Sequence, residues 1–397
     1  MQHNKENTPN SERFCVALFG LCNSGKSSLL NAIIGQQVAI VSDVAGTTTD
    51  PVSKAMELPD VGASLIIDTP GLDDNTILGA ERTKRSREVL DKCDVAVVLF
   101  SEKITGIERQ LIEELRRREI PMVSVISKCD QNPNIEELSR EIALITGIEA
   151  IRTSATTGEG VEQLRAAIAK HHKGEERLIT EGFCQRGDMV MLVMPQDAQA
   201  PQGRLIKPQA QTLRELLERG CMAVCCTAEQ MAEALAALSS PPQLIITDSQ
   251  AFDKVYSLKP QASRLTSFSI LFARYKGDIA QFVAGAEAIE RLTPSSRILI
   301  AEACAHAPKS EDIGRVKLPR MLRRKVGETL TIDIVAGNEF PEDLTPYDLV
   351  IHCGACMFNR RHVLSRISQA SSQGVAITNY GVAIAALQGI LGKVQTE

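Results

Sequence analysis

Phe14-Cys-Val-Ala-Leu-Phe19 is a continuous apolar run that passes straight into Gly20-Leu-Cys-Asn-Ser-Gly25-Lys26-Ser27, and a helical stretch, Ser28-Leu-Leu-Asn-Ala-Ile-Ile34, follows at once. A strand buried on both faces of a parallel sheet reads as such a run. Strand, G-x-x-x-x-G-K-S and helix in immediate succession is a context few folds supply. It commits the N-terminal part of the chain to an α/β sheet with a phosphate-binding loop at a strand end. The glycines let backbone N–H groups close around phosphate oxygens, Lys26 supplies a point charge, and the Ser27 hydroxyl is a magnesium ligand. Gly20, Asn23, Ser24, Gly25, Lys26, Ser27 and Ser28 are the expected cradle.

Leu65-Ile-Ile-Asp68-Thr-Pro-Gly71 reads as a second strand ending in an acid and a glycine turn. Asp68 is expected to hold magnesium through water, and the Gly71 N–H to sense a γ-phosphate. Gly46-Thr47-Thr48-Thr49-Asp50, polar and without periodicity, reads as a switch loop whose Thr48 closes over the metal. Further strands are expected at Val95–Phe100 and Met122–Ile126, alternating with helices. The latter ends in Ser127-Lys128-Cys129-Asp130. The Asp130 carboxylate can accept from both N1–H and the 2-amino group of guanine, a donor pair adenine lacks. Lys128 can lay its stem over the base, and Thr153-Ser154-Ala155 would brace it from the other side. GTP and GDP are the expected ligands, with Lys26, Thr48, Asp68 and Gly71 as the catalytic set.

These five elements, in this order, resemble the translation-factor class of small GTPases over residues 14 to 170. Asn23 stands where the potassium-activated GTPases similar to TrmE place a cation-ligating asparagine, so the resemblance implies a potassium ion there. Leu72 stands where Ras-like proteins carry the glutamine that orients water, so slow hydrolysis helped by a cation or a partner is expected. Ser127 replaces the asparagine common in this class. Its shorter side chain is expected to cost loop support and a contact to the guanine ring, while guanine choice stays with Asp130.

The chain has 397 residues, room for roughly two to three domains. With 44% hydrophobic and 23% charged residues it has the balance of a soluble globular protein. A net charge of −5 gives no basic field, and no Trp with only four Tyr leaves no aromatic-basic surface, which weighs against nucleic acid. No apolar run approaches the ~20 residues of a membrane span. Residues 1–12 are polar and read as a disordered tail, and the cytoplasm is the expected location. Eleven cysteines then need a use other than disulfides. Cys15, Cys22, Cys93, Cys129, Cys184, Cys221, Cys225 and Cys226 lack ligand spacing and read as small buried hydrophobes.

A charged turn at Lys173–Glu176 closes the GTPase domain, taken as 13–173. Residues 177–265 form another β–α–β series without a catalytic constellation, and Met189, Met191 and Met194 read as core filler. A module without chemistry between two active ones suggests an assembly surface, hence a homodimer. Residues 266–397 form the third domain: Ser267–Phe272 opens a series continued by a helical pattern from Asp278 to Ile289 and strands at 297–301, 347–351 and 375–378. Cys304 and His306 follow one strand, and His352, Cys353 and Cys356 follow another. In parallel strands both halves emerge at the same sheet edge, where open α/β sheets bind ligands. Three thiolates are one short of the usual iron–sulfur set, leaving His306, His352, Glu302 or an outside ligand for the fourth iron. Zinc is the alternative on spacing alone. The basic run from Arg315 to Lys325 reads as a solvated helix face.

A GTPase domain joined to C-x-H and H-C-x-x-C halves resembles the HydF family of FeFe-hydrogenase maturation GTPases. Ala200–Gln209 and Ile246–Gln250 are similar to stretches of that family. The resemblance covers nearly the whole chain. It implies a dimerisation domain, a 4Fe–4S cluster domain, and a scaffold that receives a diiron CO/CN precursor from two radical-SAM maturases and passes it to apo-hydrogenase. The competing expectation is a zinc-containing GTPase of tRNA modification or ribosome assembly, suggested by the TrmE-like loop.

Overall fold

The structure is a computed structural model and describes residues 8–35, 40–44, 52–73, 88–172, 177–195, 205–303 and 312–397. The chain is an α/β protein that divides into two compact units, 1–175 and 176–397.

In the first unit, β1 (Phe14–Gly20), β4 (Gly62–Asp68), β5 (Val95–Phe100), β6 (Met122–Ile126) and β7 (Ile151–Arg152) lie parallel. The chain also contributes β2 (Ile40–Val44) and β3 (Val52–Leu58), which pair antiparallel at one edge. The order is β2-β3-β4-β1-β5-β6-β7. β1 thus lies where the chain changes direction across the sheet, the position at which such sheets open a crevice beyond their carboxyl ends. The glycine loop leaves β1 there and enters α1 (Lys26–Ile34). Apolar layers on both faces, among them Ala17, Phe19 and Val98 on one and Val16, Leu18 and Val97 on the other, explain why these strands read as unbroken runs. α2 (Gly106–Arg117), α3 (Ile135–Thr146) and α4 (Val161–His171) complete the unit.

The tail expected through residue 12 gives way to structure at its end. Asn10–Glu12 forms a 3-10 turn with Ser11 buried, and Arg13 Nε donates to the Thr8 carbonyl at 3.0 Å. Residues 1–7 lie outside the described residues, as do Gly46–Asp50.

The second unit carries two four-stranded parallel sheets. One is built from β8 (Met189–Val193), β9 (Met222–Cys226), β10 (Leu244–Thr247) and β11 (Arg264–Ser267), in the order β11-β10-β8-β9. α5 (Lys207–Glu218), α6 (Met231–Ala236) and α7 (Phe252–Leu258) connect them. α8 (Phe268–Lys276) and α9 (Ile279–Ala286) lead to the other sheet, which holds β12 (Arg297–Glu302), β13 (Thr331–Ala336), β14 (Leu349–His352) and β15 (Ala376–Asn379). Its order is β13-β12-β14-β15, joined by α10 (Leu318–Val326) and α11 (Arg360–Ser372), with α12 (Tyr380–Leu387) after the last strand.

Two expectations change here. Ser267–Phe272 is not a strand opening the third domain: only Ser267 belongs to β11, and its hydroxyl accepts from Ile270 N as the N-cap of α8. A boundary between 265 and 266 therefore falls inside β11. The two sheets also share one hydrophobic core, with Met191, Val193 and Ile245 continuous with Ile298–Ala301 and Leu349–Ile351. The middle series is not a separate body.

Candidate nucleotide and metal sites

The glycine loop is folded as the sequence demands. Gly25 sits at φ +88°, a left-handed conformation that costs glycine nothing. Asn23 adopts φ +59° and is exposed. Lys26 Nζ donates to the Gly20 and Leu21 carbonyls at 3.0 and 2.8 Å, and Ser27 Oγ donates to Asp68 Oδ2 at 2.5 Å. The two elements meant to share magnesium are thus in contact. Burial pushes Lys26 down and Asp68 up from their ordinary pKa values. Asp68 Oδ1 and Ser24 Oγ, both buried, have no hydrogen-bond partner among the described residues. A divalent cation beside the carboxylate and phosphate beside the lysine would relieve both penalties. The residues fit the nucleotide and its metal. Thr48 lies outside the described residues.

The glycine turn after β4 packs on the loop. A Cβ at Gly71 would stand 2.2 Å from Cys22 Sγ and 2.9 Å from its Cα, so no larger residue fits. Leu72 N donates to the Gly20 carbonyl at 3.2 Å, and the Leu72 side chain packs against the core. Cys22 N donates to Asp73 Oδ1 at 2.6 Å, and this bond holds the Asp73 carboxyl below its usual range. Sequence reasoning missed Asp73, because a second acid near a glycine turn carries no spacing signal. Cys22 and Cys225 are exposed, not buried as expected.

The base-recognition residues assemble at the ends of β6 and β7. Cys129 N donates to the Thr153 carbonyl at 3.1 Å, tying the two segments together. The Ser154 side chain donates to the Asp130 carboxylate and lowers its pKa. Thr157 N donates to Ser154 Oγ at 3.2 Å, which fixes that donor; Ala155 follows in the same turn. Lys128, at φ +54°, runs its stem 3.7 Å from where a Gly25 Cβ would stand. Ser28 lies on the exposed face of α1. The expected loss of loop support at Ser127 is corrected: its Oγ, buried, donates to the Ser24 carbonyl at 2.6 Å and lies 3.4 Å from that of Phe100. The shorter side chain still braces the glycine loop.

In the second unit, β14 delivers His352 and then Cys353 at the carboxyl edge of its sheet. Ala303 N, just past β12, donates to Cys353 Sγ at 3.0 Å, and Ala355 N donates to it at 3.4 Å. Ala355 takes φ +52°, strained for a residue with a Cβ, which turns its N–H toward the sulfur. The buried Lys276, from the end of α8, donates to the carbonyls of Ala355 and Phe358 at 3.2 and 2.7 Å and fastens the turn. Burial pushes the Cys353 thiol up to about 11 against those two N–H bonds, with Cys356 adding to the rise. Bound metal would deprotonate such a thiol outright. Cys304 and His306 lie outside the described residues; Cys304 directly follows the residue whose N–H meets the sulfur. Among the described residues no group of three metal-binding side chains is found. N–H donors on a buried cysteine sulfur fit a cluster ligand.

His352 does not take the ligand role expected of it. Its Nδ1 donates to the Cys353 carbonyl at 2.8 Å and its Nε2 accepts from Arg366 Nη1 at 3.1 Å. Burial and the neighbouring guanidinium push the imidazole down to about 3. With both nitrogens engaged it supports the cysteine turn from behind. Arg366 is itself sandwiched, 4.6 Å from both the Phe340 and Phe358 rings. Glu302, also considered as a ligand, accepts from Arg315 Nε and Nη2, each at 2.9 Å. The basic run is partly tied down in the same way: Lys317 Nζ donates to Gln250 Oε1 at 2.7 Å and Lys325 pairs with Glu290 at 2.6 Å. No described helix is long and apolar enough to cross a membrane.

Comparison with known proteins separates the parts. Residues 280–396 match the hydrogen maturase F tetramerization domain and residues 179–277 the hydrogen maturase F dimerization domain. Residues 15–128 match the 50S ribosome-binding GTPase model. The tRNA modification GTPase MnmE of Nitrosomonas europaea is 35% identical over 173 residues, 42% of this chain and 36% of that protein. MnmE of Bacillus anthracis is 31% identical over 161 residues, 40% of this chain and 34% of that protein. The chain thus spans about a third of the length of the curated relatives it matches. The G domain of the T. maritima FeoB iron transporter matches at 25% identity over 41% of this chain and 100% of that one, with a TM-score of 0.33. Era in complex with 16S ribosomal RNA matches at 20% identity over 54% of this chain and 93% of that one, with a TM-score of 0.36. No argument rests on scores this low.

Proposed function

The chain belongs to the hydrogen maturase F family, and we propose that it is a GTP-hydrolysing scaffold that holds a 4Fe–4S cluster and carries a diiron CO/CN precursor to apo FeFe-hydrogenase. In this reading Lys26 and the loop N–H groups hold the phosphates of GTP or GDP. Ser27, Thr48 and Asp68 hold magnesium, and Asp130 with Lys128 selects guanine. Asn23 ligates potassium, which supplies the positive charge that Leu72 cannot recruit through water, so hydrolysis is slow and potassium-stimulated. Cys304, Cys353 and Cys356 are the cluster's thiolates, with His306 or an outside ligand at the fourth iron. When bound, the cluster supplies an iron site for attaching cargo.

The observation that carries the reading is the pair of backbone N–H groups, from Ala303 and Ala355, aimed at the buried Cys353 sulfur. A structural cysteine needs no such donors; a thiolate bearing part of a cluster's negative charge is stabilised by them. The precursor would come from radical-SAM maturases, in the cytoplasm, where thiols stay reduced. A homodimer would form at the sheet edge ending in β9, where Met222 and Cys225 are exposed.

Hydrogenase activation with purified maturases and apo-hydrogenase tests the proposal. A Cys353→Ser protein should hydrolyse GTP at the native rate and fail to activate hydrogenase. Full activation by that variant, shown to lack iron, would defeat the scaffold reading.

A further inference from the structure

Three neighbouring strands of the last sheet end level. Ala301 partners His352 across β12 and β14, and His352 partners Asn379 across β14 and β15. One residue further on, Glu302, Cys353 and Tyr380 therefore leave the sheet side by side. The carboxylate of this row is held by Arg315. The phenol is not held. Tyr380 is 9% exposed and its Oη has no hydrogen-bond partner among the described residues. A buried hydroxyl left unpaired is costly, and in native folds such a group calls for a reason.

The surroundings show where the hydroxyl is aimed. Ile313–Lys317 forms a π-turn, a local irregularity frequent at functional sites. A Cβ on its Gly314 would stand 2.0 Å from Tyr380 Oη and 2.7 Å from Glu302 Oε1. Hydroxyl and carboxylate thus converge over a bare Cα, which leaves room for both. Asp312 caps the turn by accepting from Arg315 N at 2.8 Å, which keeps Arg315 on Glu302 and away from the phenol. The space beside Cys353 is lined by a donor without an acceptor.

We propose that Tyr380 is a positioning residue whose hydroxyl donates a hydrogen bond to a small anionic ligand on the iron that no protein thiolate holds. The inference rests on the iron–sulfur reading above. The ligand class is one that keeps an acceptor lone pair once bound, such as cyanide or hydroxide. Coordinated imidazole, which presents only an N–H, gains nothing from this donor.

The test uses full-length protein, anaerobically reconstituted, native and Tyr380→Phe, titrated with cyanide and separately with imidazole while the EPR spectrum of the reduced cluster is followed. Iron and sulfide content should be equal in the two proteins. The cyanide dissociation constant should rise about fivefold to tenfold in Tyr380→Phe, the effect of one lost hydrogen bond, with the imidazole constant unchanged. Equal cyanide affinity in both proteins overturns the proposal. So does a matching loss for imidazole, or loss of iron from Tyr380→Phe, either of which makes the residue structural. Native protein that takes up no iron fails at an earlier step and removes the cluster reading itself.

Discussion

Ser127 offers a measurable link between the base-recognition segment and the phosphate loop. Its hydroxyl, 2% exposed, donates to the Ser24 carbonyl at 2.6 Å. Ser127→Ala removes the donor and leaves a carbonyl of the cradle without it. Leaving a buried acceptor unpaired costs about 1–3 kcal/mol. If the loop then loosens, nucleotide binding must restore its order. The apparent affinity falls by the fraction of molecules with an ordered loop, at most about fivefold to 150-fold over that energy range. Titration with a fluorescent GDP analogue reads the affinity, with thermal unfolding to confirm that the domain is folded. Ser127→Asn, which restores a polar side chain, should keep affinity near the native value. Unchanged GDP affinity in a folded Ser127→Ala protein would refute the idea that this bond organises the loop.

Asp130→Asn should weaken GTP and improve xanthosine triphosphate, because a donor replaces an acceptor opposite N1 and N2; a change on the order of 10²-fold is expected, and unchanged GTP turnover would remove the guanine assignment. Replacing sodium by potassium should raise the hydrolysis rate, and Asn23→Ala should abolish that rise; equal rates in both salts would end the potassium reading. Met222 N bonds back to Asp188 and Met194 N to the Cys226 carbonyl, so alternation in a parallel ladder turns the Cys225 N–H to the outer edge of β9. Cys225→Pro should then give a monomer by light scattering with the β8–β9 pairing intact, and a dimer of undiminished stability would move the interface elsewhere.

The phosphate loop and its sheet were legible because strand, loop and helix are consecutive and because strands buried on both faces announce themselves. β3 and β13 were not. Val52–Leu58 and Thr331–Ala336 are partly exposed and interrupted by polar residues, and their pairing is decided by neighbours far away in sequence. Phe268–Phe272 was misread because α8 is buried nearly all round: Phe268, Ile270, Leu271, Phe272 and Ala273 leave no polar face to show a helical period. The same burial merges the two sheets into one core. In the site, cysteine spacing pointed to Cys353, but not to what holds it. Lys276, Arg366 and Tyr380 reach the turn from α8, α11 and α12, and no local pattern encodes such a meeting. His352 shows the converse, a residue with ligand chemistry whose nitrogens the fold uses for support.

Anaerobic metal and sulfide analysis of the purified, reconstituted protein tests the central claim most directly. The account predicts about four iron with matching sulfide per chain, the content of one 4Fe–4S cluster, and its loss in Cys353→Ser while GTP hydrolysis continues. One zinc per chain without sulfide, or full iron retained by Cys353→Ser, would contradict it.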